Sequence, residues 1–182
     1  MNTYVIAEAG VNHNGRSELA FELLEVAASA GVDAIKFQTF NANQLVTQNA
    51  QMAAYQKENT GKSETQLTML KNLELDKQDY ARLATRAKEL NIDFISTAFD
   101  SASLHFLLEE VGVTTLKIAS GEVTNAPFVL EHARTKKNII MSTGMCTIGE
   151  VETALSVLAY GWLSPSGTPT RQTLLDAYNQ VS

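Results

Sequence analysis

Val32–Phe40 reads VDAIKFQTF, a short apolar run that contains one lysine, Lys36. Val113–Ser120, VTTLKIAS, repeats the arrangement around Lys117. Nearly continuous apolar runs of this length suit a parallel strand covered on both faces. A lysine is almost never fully buried without a partner. Two of them near the ends of core strands therefore point to a pocket built for an anion, and an enzyme is the leading reading.

Three further runs share the character: Tyr4–Ala9 (YVIAEA), Asp93–Phe99 (DFISTAF) and Asn138–Thr143 (NIIMST). Helical spacing fills the intervals. Ser17 is placed to cap a helix carrying Leu19, Leu23, Ala27 and Ala30 on one face and stopped by Gly31. Asp76 opens a second, with Tyr80, Leu83, Ala84, Ala87 and Leu90. Ser101 opens a third, ended by Gly112, and Pro127 suits the first turn of a fourth. Thr147 and Glu150 form a capping box for a fifth helix ending at Gly161. Strand–helix alternation predicts an α/β fold of about five parallel βα units with right-handed crossovers.

Two segments interrupt the rhythm. Asn41–Ser63 is long, polar and follows the second strand directly, and long loops in compact domains tend to carry function. Trp162–Thr170 (WLSPSGTPT) holds two of the three prolines and leads into a short amphipathic stretch, Arg171–Val181.

The 182 residues carry a formal net charge of −6, and no basic stretch offsets it, which excludes a nucleic-acid partner. An anion must then be held by a local pocket and not by a global field. The single cysteine, Cys146, rules out an intrachain disulfide and fits a reducing cytoplasm. The start, MNTYVIAEAG, lacks the features of a signal peptide, and no run approaches membrane-spanning length. The expectation is a cytoplasmic protein with no membrane partner.

Side chains two apart in a strand face the same way. If Lys36 faces inward, Ala34 and Gln38 stand beside it; the same choice groups Ile6 with Glu8, Ile95 with Thr97, Thr115 with Lys117 and Ala119, and Ile140 with Ser142. The other face is mostly apolar and suits helix packing. A polar group then lies near the C-terminal end of every strand, where βα barrels assemble their active sites. A simpler arrangement is a buried ion pair between Glu8 and one of the lysines with no ligand, although such pairs seldom gain stability over apolar packing. Lys117–Glu122 (KIASGE) adds a hydroxyl and a glycine that lets backbone N–H groups approach a ligand.

Other features say less. Asn12–Gly15 (NHNG) reads as a β-to-α turn, with His13 at the mouth end and able to contact substrate or metal. His105 and His132 fall within helices and read as surface residues. The three histidines show no metal-ligand spacing. Met141 and Met145 read as packing residues. Cys146 has no adjacent histidine to make it a nucleophile.

Taken in order, IAEAGVNHNG, DAIKFQTF, YQKEN, FISTAFD, LKIASGE and IIMSTGM resemble the N-acetylneuraminate (sialic acid) synthase family, collinearly from Tyr4 to about Gly161. EAGVNHNG with KFQTF is more similar to the sialic and legionaminic acid branches than to the pseudaminic acid branch. The resemblance implies a (β/α)8 barrel followed by a small antifreeze-like domain. It implies condensation of phosphoenolpyruvate with an N-acetylated aldohexose such as N-acetylmannosamine, with a divalent metal (Mn2+ or Mg2+), commonly in a homodimer. By position, Lys36, Thr97, Lys117 and Ser120 match phosphoenolpyruvate contacts, the last two chiefly through its phosphate. Glu122 matches a contact to the sugar, Asn41–Ser63 a sugar-side lid, and Glu8 a glutamate near the reacting carbons. Gln38 and Ser142 line the same pocket by alternation. On this reading residues 1–161 are five of eight βα units and 162–182 an insertion before a sixth strand. The metal-binding histidines and the antifreeze-like domain would belong to chain beyond it, and activity of this stretch alone would be in doubt. Three other readings compete: a Schiff base on Lys117 as in class I aldolases, a related synthase acting on a phosphorylated sugar, and a non-catalytic fragment or binding module.

Overall fold

The computed structural model describes residues 3–47, 65–163 and 166–181. They form two compact units, Met1–Ser103 and Leu104–Ser182. Each is built of parallel strands with helices between them, and strand order follows sequence order within each unit. The α/β architecture of five βα units agrees with the sequence pattern.

The first unit contains β1 (Ile6–Gly10), α1 (Ser17–Ser29), β2 (Ala34–Thr39), the short α2 (Ala42–Leu45), α3 (Gln66–Lys71), α4 (Lys77–Glu89) and β3 (Asp93–Ala98). In β1 and β2, Glu8 stands opposite Lys36; in β2 and β3, Gln38 stands opposite Thr97. The apolar face of the strands packs on α1 and α4 through Leu24, Ile35, Phe37 and Leu83, all essentially sealed from solvent. Burying each such side chain favours folding by about 1.5–3 kcal/mol relative to leaving it exposed. This face also holds a satisfied polar pair, the Thr39 and Ser96 hydroxyls at 2.7 Å.

The buried stripe of α1 is Ala20, Leu24 and Ala27, one residue round from the expected Leu19 and Leu23, which lie at its margin. Ser17 does not cap this helix. The N-cap is Arg16, whose N–H donates to the His13 carbonyl, so the Asn12–Gly15 turn runs straight into the helix. Asn14 and Gly15 both take positive φ there, and a Cβ on Gly15 would sit 2.3 Å from the Asn72 carbonyl oxygen. That contact leaves room for glycine alone. Most of the polar loop, residues 48–64, lies outside the described residues.

α5 (Ser101–Phe106) crosses the division between the units and continues as a single π-turn, Leu107–Val111, which ends at Gly112 in the left-handed conformation. Ser101 is its first residue, but the cap is Asp100, whose carboxylate accepts from the N–H and hydroxyl of Ser103. The second unit continues with β4 (Thr115–Ile118), a 3-10 turn at Ser120–Glu122, α6 (Ala126–Arg134), β5 (Asn138–Met141), α7 (Ile148–Leu163) and α8 (Arg171–Val181). Its core joins Ile118, Val129, Leu130, Val157, Ala159, Tyr160 and Ala177, so α8 is packed against its neighbours.

The capping box forms as expected: Thr147 N–H donates to the Glu150 carboxylate, and the Glu150 backbone N–H donates to the Thr147 hydroxyl. Gly161 has a different role from the one its position suggested. α7 runs on past it to Leu163, and a Cβ there would meet the Ala133 Cβ at 2.6 Å. Gly161 permits the close approach of α6 and α7.

Candidate active site

Each unit carries polar groups at the C-terminal ends of its strands. In the first, the strand register places the Lys36 ammonium beside the Glu8 carboxylate, and the two form an ion pair. The Lys36 side chain is 14% exposed and that of Glu8 56%. The pair is therefore open on its acidic side, where solvent or a ligand can compete. The ligand-free pairing weighed from the sequence is realised here.

A bulge makes room for this pair. The β1–β2 register slips between Glu8 and Gly10, and Gly10 adopts φ +54°. A Cβ at Gly10 would lie 3.2 Å from Glu8 Oε1 and 3.6 Å from Gln38 Nε2. The space a side chain would fill is thus shared by the carboxylate and the amide. Gln38 is half-buried, and its cross-strand neighbour Thr97 is buried. The Tyr80 hydroxyl donates to the Gln38 carbonyl at 2.7 Å and secures the end of β2. Burial holds the Tyr80 hydroxyl above its ordinary pKa, so it stays a donor. Asp100 ties two loops together, accepting from the Asn41 N–H as well as from Ser103.

In the second unit Lys117 is 8% exposed, and its ammonium donates to the Ile118 carbonyl at 2.5 Å. The strand ends in the 3-10 turn that carries Ser120 and Glu122, closed by Glu122 N–H on the Ala119 carbonyl. Asn125 donates through Nδ2 to Glu122 Oε2 at 2.8 Å. Ser142 extends the β4–β5 ladder, with its N–H on the Ile118 carbonyl at 3.1 Å. Cys146 Sγ lies 3.4 Å from the Ser120 carbonyl, a structural contact and not a nucleophile–base arrangement.

Three expectations need correction. His13 is fully buried, not at a mouth: Nδ1 accepts from Gly15 N–H, and the ring lies 6.1 Å from that of Phe37. The turn folds inward because Asn14 and Gly15 reverse the chain, so the imidazole packs with the core. Burial lowers its pKa and keeps it neutral. His132 is likewise sealed, its Nδ1 bonded to the Phe128 carbonyl and its ring edge-on to Phe128. Only His105 is at the surface, paired with Glu131. Met145 is 80% exposed and packs on nothing that would bury it, whereas Met141 joins the core.

Among the described residues no group of three or more His, Cys, Asp or Glu side chains is gathered as a metal ion requires. The described residues do not by themselves make up a divalent cation site. No helix among them is long and apolar enough to cross a membrane.

Sequence reasoning missed Gly10, Asp100 and Asn125. Asp100 was legible as an Asp preceding a helical run. Gly10 and Asn125 act through a bulge and a turn, which periodicity does not register.

Parallel βα units with cations and hydroxyls near their strand ends define the class: an α/β protein of the barrel type. The chain belongs to the NeuB family, whose model matches residues 23–178. It is 48% identical over 158 residues to the N,N'-diacetyllegionaminic acid synthase of Legionella pneumophila, covering 87% of this chain and 44% of that protein. The Campylobacter jejuni protein of the same name is 48% identical over 156 residues, with 86% and 46% covered. The crystal structure of N-acetylneuraminic acid (sialic acid) synthetase from Leptospira borgpetersenii, in complex with citrate, superposes with a TM-score of 0.74 at 32% identity, covering 97% of this chain and 58% of that one. The chain therefore spans about half the length of the curated relatives it matches.

Proposed function

We propose that this chain carries the phosphoenolpyruvate-holding residues of a sugar-acid synthase, which condenses phosphoenolpyruvate with N-acetylmannosamine or a related N-acyl aldohexose. The observation that carries the reading is the buried Lys117 at the end of β4, followed at once by the Ser120–Glu122 turn. The 48% identity to two legionaminic acid synthases favours the legionaminic branch for the sugar. The Leptospira relative's citrate, a small polycarboxylate, is chemically akin to the anion proposed.

By the family resemblance, Lys117 and Ser120 match the groups that take the phosphate, and Lys36 and Thr97 match those that take the carboxylate. Each charge-assisted bond contributes about 1.5–3 kcal/mol. The ligand carboxylate replaces Glu8 on Lys36 and leaves Glu8 beside the reacting carbons, with Gln38 two residues along from Lys36 on the same face of the strand. Held so, C3 of the enol faces the aldehyde of the open-chain sugar, which Glu122 orients. Such positioning removes much of the barrier to a two-substrate reaction. The enol π electrons form the new C–C bond, the aldehyde oxygen gains a proton, and C2 becomes cationic. Glu8 stabilises that cation electrostatically. Water adds to C2 and loses a proton; the C2 hydroxyl so formed then gives its proton to the departing phosphate as the C2–O bond to phosphate breaks, leaving the C2 ketone of the sugar acid and inorganic phosphate. Because the described residues do not by themselves make up a metal site, no step here runs through one.

The test is a pair of titrations, phosphoenolpyruvate and pyruvate, into the same protein. Phosphoenolpyruvate is expected to bind at least tenfold more tightly, since pyruvate has nothing for Lys117 and Ser120. Equal affinities, or borohydride trapping of pyruvate on Lys117, would overturn the assignment.

A further inference from the structure

Asn125 occupies the N-cap position of α6, where an asparagine ordinarily turns its side-chain oxygen onto a backbone N–H of the first turn. Here it makes no such bond. Pro127, in that first turn, has already removed one of the N–H groups available to it. The side chain is directed the other way: Nδ2 donates to Glu122 Oε2 at 2.8 Å, while the Asn125 N–H closes the same turn on the Glu122 carbonyl at 2.9 Å. The amide must present nitrogen, because its oxygen facing a carboxylate would be repulsive. A cap is commonly worth about 1 kcal/mol to a helix, so forgoing it for a contact to one carboxylate suggests that the orientation of that carboxylate matters.

We propose that Asn125 is a positioning residue for sugar recognition, which rests on the assignment of Glu122 to the sugar. By occupying Oε2, it holds the Glu122 carboxylate in one rotamer and leaves Oε1 to accept from the hydroxyl or acetamido N–H donors of an N-acyl aldohexose. The bond also ties the start of α6 to the 3-10 turn, so the carboxylate moves with the Ser120 backbone and not independently of it.

N-acetylmannosamine and phosphoenolpyruvate are titrated separately into the parent chain, Glu122→Gln and Asn125→Ala, each first checked for an unchanged thermal melt. Asn125→Ala is expected to weaken the sugar five- to tenfold and leave phosphoenolpyruvate affinity within twofold; Glu122→Gln weakens the sugar at least as much. In the parent chain the Asn125 side-chain amide resonances should shift with added sugar along the same isotherm, a response that a purely structural residue would not give and that needs no variant to fold. Loss of sugar binding in Glu122→Gln but not in Asn125→Ala, with static Asn125 resonances, overturns this inference alone. Unchanged sugar binding in Glu122→Gln, or none in the parent, overturns the assignment beneath it as well.

Discussion

Lys36 and Lys117 are held differently, and the contrast bears on the two roles proposed for them. Lys36 is compensated by a full charge, the Glu8 carboxylate, which is itself more than half exposed. Lys117 is more deeply buried, and its ammonium is bonded to the carbonyl of its own neighbour, Ile118. An ion pair open to solvent can be exchanged: an incoming carboxylate takes one partner and releases the other. A cation buried this deeply has more to gain from an anion, because little water is left to screen their attraction. The first arrangement suits a group that must be released to act, the second one that anchors.

Four outcomes sharpen or break the contrast. The largest is Lys117→Met, which keeps most of the apolar stem and removes the ammonium; phosphoenolpyruvate affinity should fall by roughly 100-fold, the loss of one or two charge-assisted bonds. A comparable loss for Lys36→Met but none for Lys117→Met would reverse the two roles. Next, Gly161→Ala should destabilise the second unit by about 1–3 kcal/mol in urea denaturation, since its Cβ would clash with Ala133. Binding residues of the first unit should be unaffected in that variant at low denaturant. Third, Glu8→Gln removes the competitor for Lys36, so phosphoenolpyruvate should bind a few-fold more tightly while turnover in any active form is lost. Weaker binding would show that Glu8 aids the ligand and does not merely yield to it.

The smallest effect is a pH dependence. Burial depresses the pKa of His132 below its ordinary 6.5, so the folded state holds it neutral while the unfolded chain takes up a proton as pH falls. Its contribution is complete above about 6.5 and lost as pH drops toward the lower folded value. His13 is depressed by burial in the same sense. Melting temperature should therefore decline by a few degrees between pH 7.5 and 5.5, and His132→Gln should flatten that decline.

Much of this was readable from residue order alone. The five strands fall within one or two residues of the apolar runs, because a strand buried on both faces leaves a continuous signature. Lys36, Gln38 and Thr97 share a face as period-two alternation requires, and the register sets Glu8 against Lys36 and Gln38 against Thr97. What escaped notice depends on tertiary contact. His132 sits in a helix whose polar neighbours disguise a fully buried position, and its ring is hidden only by packing. Gly161 looked like a helix stop, since nothing local reveals that Ala133 lies against it. Gly10 and Asn125 work through a bulge and an uncapped turn, both decided by neighbours across the fold.

The most direct check is a calorimetric titration of phosphoenolpyruvate into the unsubstituted protein, Lys36→Met and Lys117→Met under one set of conditions. Saturable binding that is weakened in both variants, and most in Lys117→Met, is the predicted result. Affinity unchanged by either substitution would contradict the account.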